Sequence, residues 1–480
     1  LLSLIRPRKL STPAHVLPAI AGNLCAFLLV SVVGLLGFSS VDLEQALNFG
    51  FDRWQPICTY VSQGFITSFT EMVNELPIEK PEGYTPDEAK NIEQELVAAY
   101  DSTYGSSEQR AAAVAQFNEI KPTVIAVMNE SFTDLSCFEQ LKAAGYFGPT
   151  FYNSLPDTLV RGTMLASVTG GGTANSEFEF LTGATTAFVG VGKIPYQLYQ
   201  MSDVDSLAKD LKELGYVATA MHPQNPVNYH RDKIYQQLGF GDFLSIDDFE
   251  GAPYYHAGVC DYATYDKILD LLRTDEAPQF IFDVTMQNHG GYDYGTVPAE
   301  ELTNYWVEGA SENTNAMLNT YLTCINASDR DLEYFINELR NIGRPVVLVF
   351  FGDHQPSIAT SLNDELYPQE DTASHAFRIH QSTYFVWANY EIAGNSELNV
   401  YDTVGANEIA AITLNKIGAP LTDYQKALLA TRSDVPSINV AGYLGADGLR
   451  YDLESKDSPY TSTIDKLQRV QYLEFATKVQ

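Results

Sequence analysis

Val346-Val347-Leu348-Val349-Phe350-Phe351-Gly352-Asp353-His354-Gln355-Pro356 is the stretch on which the fold turns. Its first six residues are apolar without interruption and rich in β-formers, too short a run for a helix, and a polar Asp-His pair follows at once. Four further short, largely apolar runs are likewise rich in β-formers: Val124–Met128, Tyr216–Met221, Phe280–Met286 and Tyr384–Ala388. Helical stretches separate them, the pattern of βαβ units, so an α/β fold with a mostly parallel sheet flanked by helices is expected. Polar groups close behind the first four runs in chain order are Glu130, His222, His289 and the pair Asp353 and His354. Open α/β sheets bind ligands beyond the carboxyl ends of their strands, so these residues are expected to share one site.

The residue types suggest the chemistry. Glu130, Asp353 and His354 offer two hard oxygens and one imidazole, which suits Mn²⁺, Mg²⁺ or Zn²⁺. Gly170-Gly171-Gly172 runs into Thr173 and a segment with helical composition, placing a hydroxyl and free N–H groups where a helix dipole favours an anion. Thr173 is also read as an N-cap, with Ser176 or Glu177 completing a capping box. Arg231 can clamp phosphate oxygens, and His222, Tyr229 and His289 fall on the same predicted face. A nucleotide P-loop is excluded, because Gly192-Lys193 is followed by Ile194, and no G-x-S-x-G elbow occurs. Asn129-Glu130-Ser131 matches a glycosylation acceptor, but its place at a strand end argues against use. His230, His256, His375 and His380 receive no role.

Composition sets the outer bounds. The chain has 480 residues, 45% of them hydrophobic and 19% charged, as expected of a folded protein. A formal net charge of -32 makes nucleic acid an unfavourable partner, and an anionic substrate needs local cations or a metal to hold it. The five cysteines are scattered without a CxxC pair, which indicates neither a zinc ribbon nor a disulfide framework.

Val16–Phe38 carries no Asp, Glu, Lys or Arg and follows Arg6, Arg8 and Lys9. It is read as a transmembrane helix with its basic flank inside the cell and the remainder of the chain outside; a cleaved signal peptide is the plainer alternative. The chain opens on Leu1, and Leu1–Ile5 is read as the tail of a preceding membrane helix. The expected organisation is a membrane segment over 1–38, a juxtamembrane helical linker over 39–116, a catalytic domain over 117–440 and a tail over 441–480 that packs on it. Helices are expected near Phe51–Met72, over Glu88–Ala115, over Asp402–Lys416 and over Ser462–Lys478.

Four motifs together, Met128-Asn129-Glu130-Ser131-Phe132, Gly171-Gly172-Thr173-Ala174-Asn175-Ser176-Glu177-Phe178, Gln287-Asn288-His289-Gly290 and Phe351-Gly352-Asp353-His354-Gln355-Pro356, resemble the lipoteichoic acid synthase family in order and spacing. The resemblance covers about Lys121 to Tyr390. It implies a sulfatase-like fold of the alkaline phosphatase superfamily, one divalent metal, commonly Mn²⁺, and transfer of glycerol phosphate from phosphatidylglycerol to a polyglycerol phosphate chain or glycolipid anchor. The reaction would take place outside a bacterial cell membrane, on a domain tethered there or released by cleavage. By position, Glu130, Thr173, Asp353 and His354 would bind the metal, Thr173 would be the nucleophile, and His222, Arg231 and His289 would contact the headgroup, with His289 or His222 as proton donor. The family often has Trp-Asn-Arg where this chain has Tyr229-His230-Arg231, which keeps the arginine and an aromatic but alters the headgroup contact. Alternatives on the same fold are phosphoethanolamine transfer and ester hydrolysis. Sulfatase chemistry is disfavoured, because Thr173 cannot become a formylglycine. A catalytically silent wall-polymer-binding protein is the alternative from another class.

Overall fold

The computed structural model describes residues 22, 24–29, 32, 56–293 and 295–479. The chain divides into two compact units, Leu1–Pro77 and Ile78–Gln480. In the first, helices Pro56–Gln63 and Phe65–Glu75 fall where the sequence suggested a helix near Phe51–Met72. Most of Val16–Phe38 lies outside the described residues, and among those described no helix is long and apolar enough to cross a membrane.

The second unit is built on strands Thr123–Asn129 (β1), Thr158–Leu165 (β2), Val217–Met221 (β3), Asp242–Leu244 (β4), Tyr254–Tyr255 (β5), Gly258–Val259 (β6), Gln279–Val284 (β7), Val346–Gly352 (β8), Gln381–Ala388 (β9) and Val400–Gly405 (β10). Eight of them form one sheet in the order β10-β2-β9-β8-β1-β7-β3-β4, while β5 and β6 form a separate hairpin. Every pairing in the large sheet is parallel except the two made by β9, so the expected mostly parallel α/β architecture is what is found. The five apolar runs are its strands β1, β3, β7, β8 and β9.

Alternation explains why these strands read as unbroken apolar runs. In β1, Val124, Ala126 and Met128 face one core while Ile125 and Val127 face another; in β8, Val347, Val349 and Phe351 divide from Val346, Leu348 and Phe350 in the same way. Helices cover both faces. On one side lies the 29-residue helix Glu312–Arg340, whose Leu318, Leu322, Ile325, Leu332, Phe335, Ile336 and Leu339 recur at helical spacing toward the sheet. Helix Thr173–Thr182 lies on the other, with Phe178, Phe180 and Leu181 in its core.

Two stretches depart from expectation. Asp402–Lys416 is not one helix: Val400–Gly405 is the edge strand β10, and the helix begins at Ile409. The strand's polar residues Tyr401, Asp402 and Thr403 hide it from a reading based on apolar runs. Strand β2 is broken in sequence by Arg161 and Gly162, and a Cβ at Gly162 would lie 2.0 Å from the Asp402 carbonyl oxygen. Glycine is needed there because β2 and β10 approach too closely for any side chain. Beyond Pro436 the chain forms three short antiparallel strands, Ser437–Asn439 (β11), Gly442–Leu444 (β12) and Arg450–Tyr451 (β13), and then helix Thr461–Gln471.

One carboxyl group inside the sheet bears on stability. Asp283 on β7 is fully buried, and burial pushes its pKa up to about 8. Thr264 Oγ1 lies 2.7 Å from Asp283 Oδ2 and 3.0 Å from the Asp261 carbonyl oxygen. A protonated Asp283 can donate to the hydroxyl while the hydroxyl donates to the carbonyl, so the neutral acid is the form that fits. The folded state therefore binds a proton that the unfolded chain releases near pH 4. Its stability contribution is complete below that pH and is lost as pH rises toward 8. Urea unfolding at pH 6 and pH 9 is expected to show a smaller pH-dependent loss in Asp283→Asn than in the parent; an equal loss would place the ionisation elsewhere.

Candidate active site

Register brings the site together. Asn129 pairs with Gly352 at the ends of β1 and β8, so the next residues, Glu130 and Asp353, leave the sheet side by side. Met128 pairs with Val284 on β7, and Met221 of β3 with Asp283, which brings His222 to the same edge. Gly352 fits because the chain after β1 passes over it: a Cβ there would lie 1.7 Å from the Phe132 carbonyl oxygen. Ser131, at φ 51°, turns the backbone out of β1.

Glu130, Asp353 and His354 are buried, and each offers a ligand atom within 4.8 Å of the others. Their hydrogen bonds leave the inward atoms unspent. Asp353 Oδ1 accepts from the Ser131 and His354 backbone N–H groups at 2.7 and 2.9 Å, while Oδ2 has no hydrogen-bond partner among the described residues. His354 Nδ1 lies 2.9 Å from the Gln355 carbonyl, which fixes the proton on Nδ1 and leaves the Nε2 lone pair free; Nε2 too has no hydrogen-bond partner and lies 3.1 Å from Asp353 Oδ2. Ser131 Oγ donates to Glu130 Oε1 at 2.8 Å. Burial, and then the neighbouring Glu130, push the Asp353 carboxyl up to about pH 6, and burial raises Glu130 as well. Two carboxylates and an imidazole lone pair, buried and aimed at one point, are a donor set that fits a divalent cation.

Thr173 joins this cluster, its hydroxyl close enough to the Asp353 carboxyl to favour the ionised form. The triple glycine places it. Gly170, Gly171 and Gly172 all have positive φ, and a Cβ on Gly170 would lie 3.1 Å from Ser357 Cα. Gly172 is the N-cap, with no side-chain cap, and Thr173 is the first helical residue, so the expected N-cap role for Thr173 and its capping box are not formed. Ser176 Oγ instead donates to the Asp353 carbonyl at 2.7 Å, fastening the helix to the loop after β8.

Glu177 has a different partner from the one the sequence suggested. Fully buried, it accepts from Arg231 Nε at 3.0 and 3.3 Å and from Nη2, and Tyr235 Oη donates to it at 2.6 Å. Arg231 is thus held on one side, with no hydrogen bond from Nη1 to any described residue, and its guanidinium lies 5.0 Å from the Tyr229 ring centroid. Tyr229 and His230 both take positive φ, at 55° and 60°, in the tight turn that brings Arg231 in. His222 is buried, its Nδ1 2.8 Å from the Val284 carbonyl. Burial and then the Arg231 charge hold its pKa well below the usual imidazole range, so it is neutral with Nε2 as an acceptor. His289 is exposed at the rim, within Coulombic range of Asp353 and His354.

Several positioning residues had no separate signal in the sequence. Asn288 Nδ2 reaches the Glu130 carbonyl and Asn129 Oδ1, each at 3.1 Å, and Ser328 Oγ at 2.9 Å. Asn129 Nδ2 donates to buried Asp261 Oδ2 at 2.8 Å, which removes Asn129 from any glycosylation role. His256, assigned nothing from sequence, has Nε2 3.0 Å from the His289 carbonyl and stacks on Tyr292, whose hydroxyl donates to the Asn288 carbonyl.

The profile of the sulfatase family matches residues 122–408, more than half the chain. A putative cyclic β-1,2-glucan modification protein of Rhizobium meliloti is 28% identical over 343 residues, covering 70% of this chain and 50% of that protein. The chain spans about half the length of the curated relatives it first matches. Among solved structures, the phosphoglycerol transferase GacH of Streptococcus pyogenes, in complex with sn-glycerol-1-phosphate, superposes with TM-score 0.62 at 23% identity, covering 82% of this chain and 95% of that one. The lipoteichoic acid synthase LtaP of Listeria monocytogenes gives 0.53 at 18% identity, over 80% and 97%. At these identities the two structures bear on the fold alone.

Proposed function

The chain belongs to the sulfatase family, and from that membership we propose that it is a metal-dependent phosphoglycerol transferase acting on phosphatidylglycerol. The observation that carries this reading is the convergence of a hydroxyl at a helix N-terminus, two carboxylates, an imidazole lone pair and one open guanidinium nitrogen at the ends of β1, β3 and β8. The likeness to phosphoglycerol transferase and lipoteichoic acid synthase structures supports the same fold for that chemistry.

Glu130, Asp353 and His354, with Thr173, would hold one divalent ion, for which Mn²⁺ is proposed. Such an ion supplies Lewis acidity: it lowers the pKa of a coordinated hydroxyl and offsets charge on phosphoryl oxygens. Thr173 Oγ1, its proton given up to water when an ion is held beside it, attacks the phosphorus as the alkoxide, forming a Thr–phosphate ester as the bond from phosphorus to the diacylglycerol oxygen breaks. Arg231 Nη1 takes a non-bridging phosphoryl oxygen, while Glu177 keeps the guanidinium plane fixed. His289, at the rim, protonates the departing diacylglycerol oxygen. Neutral His222 accepts a hydrogen bond from a headgroup hydroxyl through Nε2. The hydroxyl of a polyglycerol phosphate chain or glycolipid then attacks the same phosphorus, loses its proton to His289 and releases Thr173.

The proposed setting is the outer face of a bacterial cell membrane, with Val16–Phe38 as tether, 117–440 as the catalytic domain and 441–480 packed on it. Lipid turnover tests the function: diacylglycerol is expected from phosphatidylglycerol with Mn²⁺ and not from phosphatidylethanolamine. Preference for phosphatidylethanolamine would convert the assignment to phosphoethanolamine transfer, and glycerol phosphate released to water as sole product would make it a hydrolase. The metal has a separate readout. Mn²⁺ is expected to raise the melting temperature of chelator-treated protein by several degrees through binding to the folded state alone, and Asp353→Asn is expected to lose that shift.

A further inference from the structure

Away from the active site, a cavity of about 280 Å³ opens at the far end of helix Thr173–Thr182, against Gly183 and between helices Pro86–Ser102 and Asp423–Thr431 and the Glu474 turn. Five carboxylates line it, Glu93, Asp205, Asp210, Asp423 and Glu474, and no lysine or arginine does. Lys478 pairs with Asp205 and Glu474 from beside the cavity, and Gln425 Nε2 donates to Asp210 at 2.8 Å. Glu93 stands apart. It is 8% exposed, lines the cavity and has neither hydrogen bond nor ion pair to any described residue. A buried, unpartnered carboxyl group facing an open volume is costly unless something enters to meet it. The environment favours a cation: the helix ending at Gly183 presents the negative end of its dipole here, and the whole chain carries a net charge of -32.

The form of the cation follows from the spacing. The only groups of three or more His, Cys, Asp or Glu ligand atoms close enough to share one ion, among the described residues, are those of the active site. The cavity's carboxylates are too dispersed for a compact metal ion and suit a ligand that distributes positive charge along a chain. We propose that this cavity is a binding site for a linear organic polycation, a di- or polyamine, with buried Glu93 and half-buried Asp210 as its anchors. Asp205, Asp423 and Glu474 form the outer wall. Because Thr173–Thr182 runs from the active site to this cavity, about 15 Å along its axis, the site lies at the opposite end of the helix that carries Thr173.

Calorimetric titration of the full chain in non-ionic detergent at pH 8 and low salt, with spermidine as probe, tests this. Saturable one-to-one binding is expected, weakened tenfold or more in Glu93→Gln and in Asp210→Asn. An exposed control far from the cavity, Glu312→Gln, should bind as the parent does. Glu93→Gln removes a buried unpaired carboxylate, so its melting temperature should not fall, which separates lost binding from lost fold. Absence of saturable binding, equal weakening in the control, or MgCl₂ alone binding with the same dependence on Glu93 would each overturn the proposal.

Discussion

Thr173→Ala is expected to lower diacylglycerol release from phosphatidylglycerol by on the order of 10⁴-fold or more, as loss of a covalent nucleophile does, while the protein stays folded. The second half of that expectation rests on the helix start. With Gly172 as N-cap and no side-chain cap present, the Thr173 hydroxyl satisfies none of the helix's terminal N–H groups, so its removal should not incur the roughly 1 kcal/mol that loss of an N-cap costs. What is lost is the hydroxyl beside the Asp353 carboxyl. Thr173→Ser keeps a hydroxyl at the same position and should retain measurable turnover. Mass spectrometry of the parent, stalled without an acceptor, should find glycerol phosphate on the peptide containing Thr173 and none on the alanine variant. Release by Thr173→Ala at near the parent rate would remove Thr173 from the role of nucleophile.

The parts of the fold legible in sequence are those where burial on both faces leaves few polar residues. β1, β3, β7, β8 and β9 announce themselves because most of their side chains are apolar and meet one core or the other. β10 does not, because an edge strand tolerates Tyr401, Asp402 and Thr403, and β2 is disguised by Arg161 and Gly162. The same logic governs the site. Glu130, His222, Asp353 and His354 were legible because they directly follow apolar strands, and parallel register turns that sequence position into proximity.

What was not legible is whatever depends on pairing across the chain between residues with a plausible local role. Glu177, at the fourth position after Thr173, offers a capping box and takes Arg231, 54 residues away, instead. The physical reason is that Gly172 begins the helix in a left-handed conformation and leaves no cap for Glu177 to complete, while a buried guanidinium nearby needs a counter-charge. His256 is equally silent in sequence, since its role is a hydrogen bond to the His289 backbone across a loop. Such residues form the layer that aims the reacting groups, and the accuracy of that aim is what a series of strand-end motifs cannot specify by itself.

Glu177→Ala is the variant in which that layer should fail most visibly. Its partner Arg231 is 2% exposed, and the carboxylate holds the guanidinium's pKa above its usual value, so the charge stays when the partner goes. A buried cation left without its carboxylate costs about 3–5 kcal/mol, a large share of the ~5–15 kcal/mol that keeps a domain folded. The hydroxyl of Tyr235 loses its acceptor in the same step. Thermal or urea unfolding should show the loss as a melting temperature lower by on the order of 5–10 °C. Adding Arg231→Met to Glu177→Ala should recover most of the stability, because the double variant buries no unpaired charge; it should not recover turnover, because Nη1 is gone. That split separates two roles of one pair: Glu177 is required for the fold only while Arg231 is present, and Arg231 is required for catalysis whether or not the fold is secure. If Glu177→Ala unfolds at the parent temperature, the pair is not a buried ion pair in solution, and the fixed guanidinium on which phosphate capture depends is lost with it.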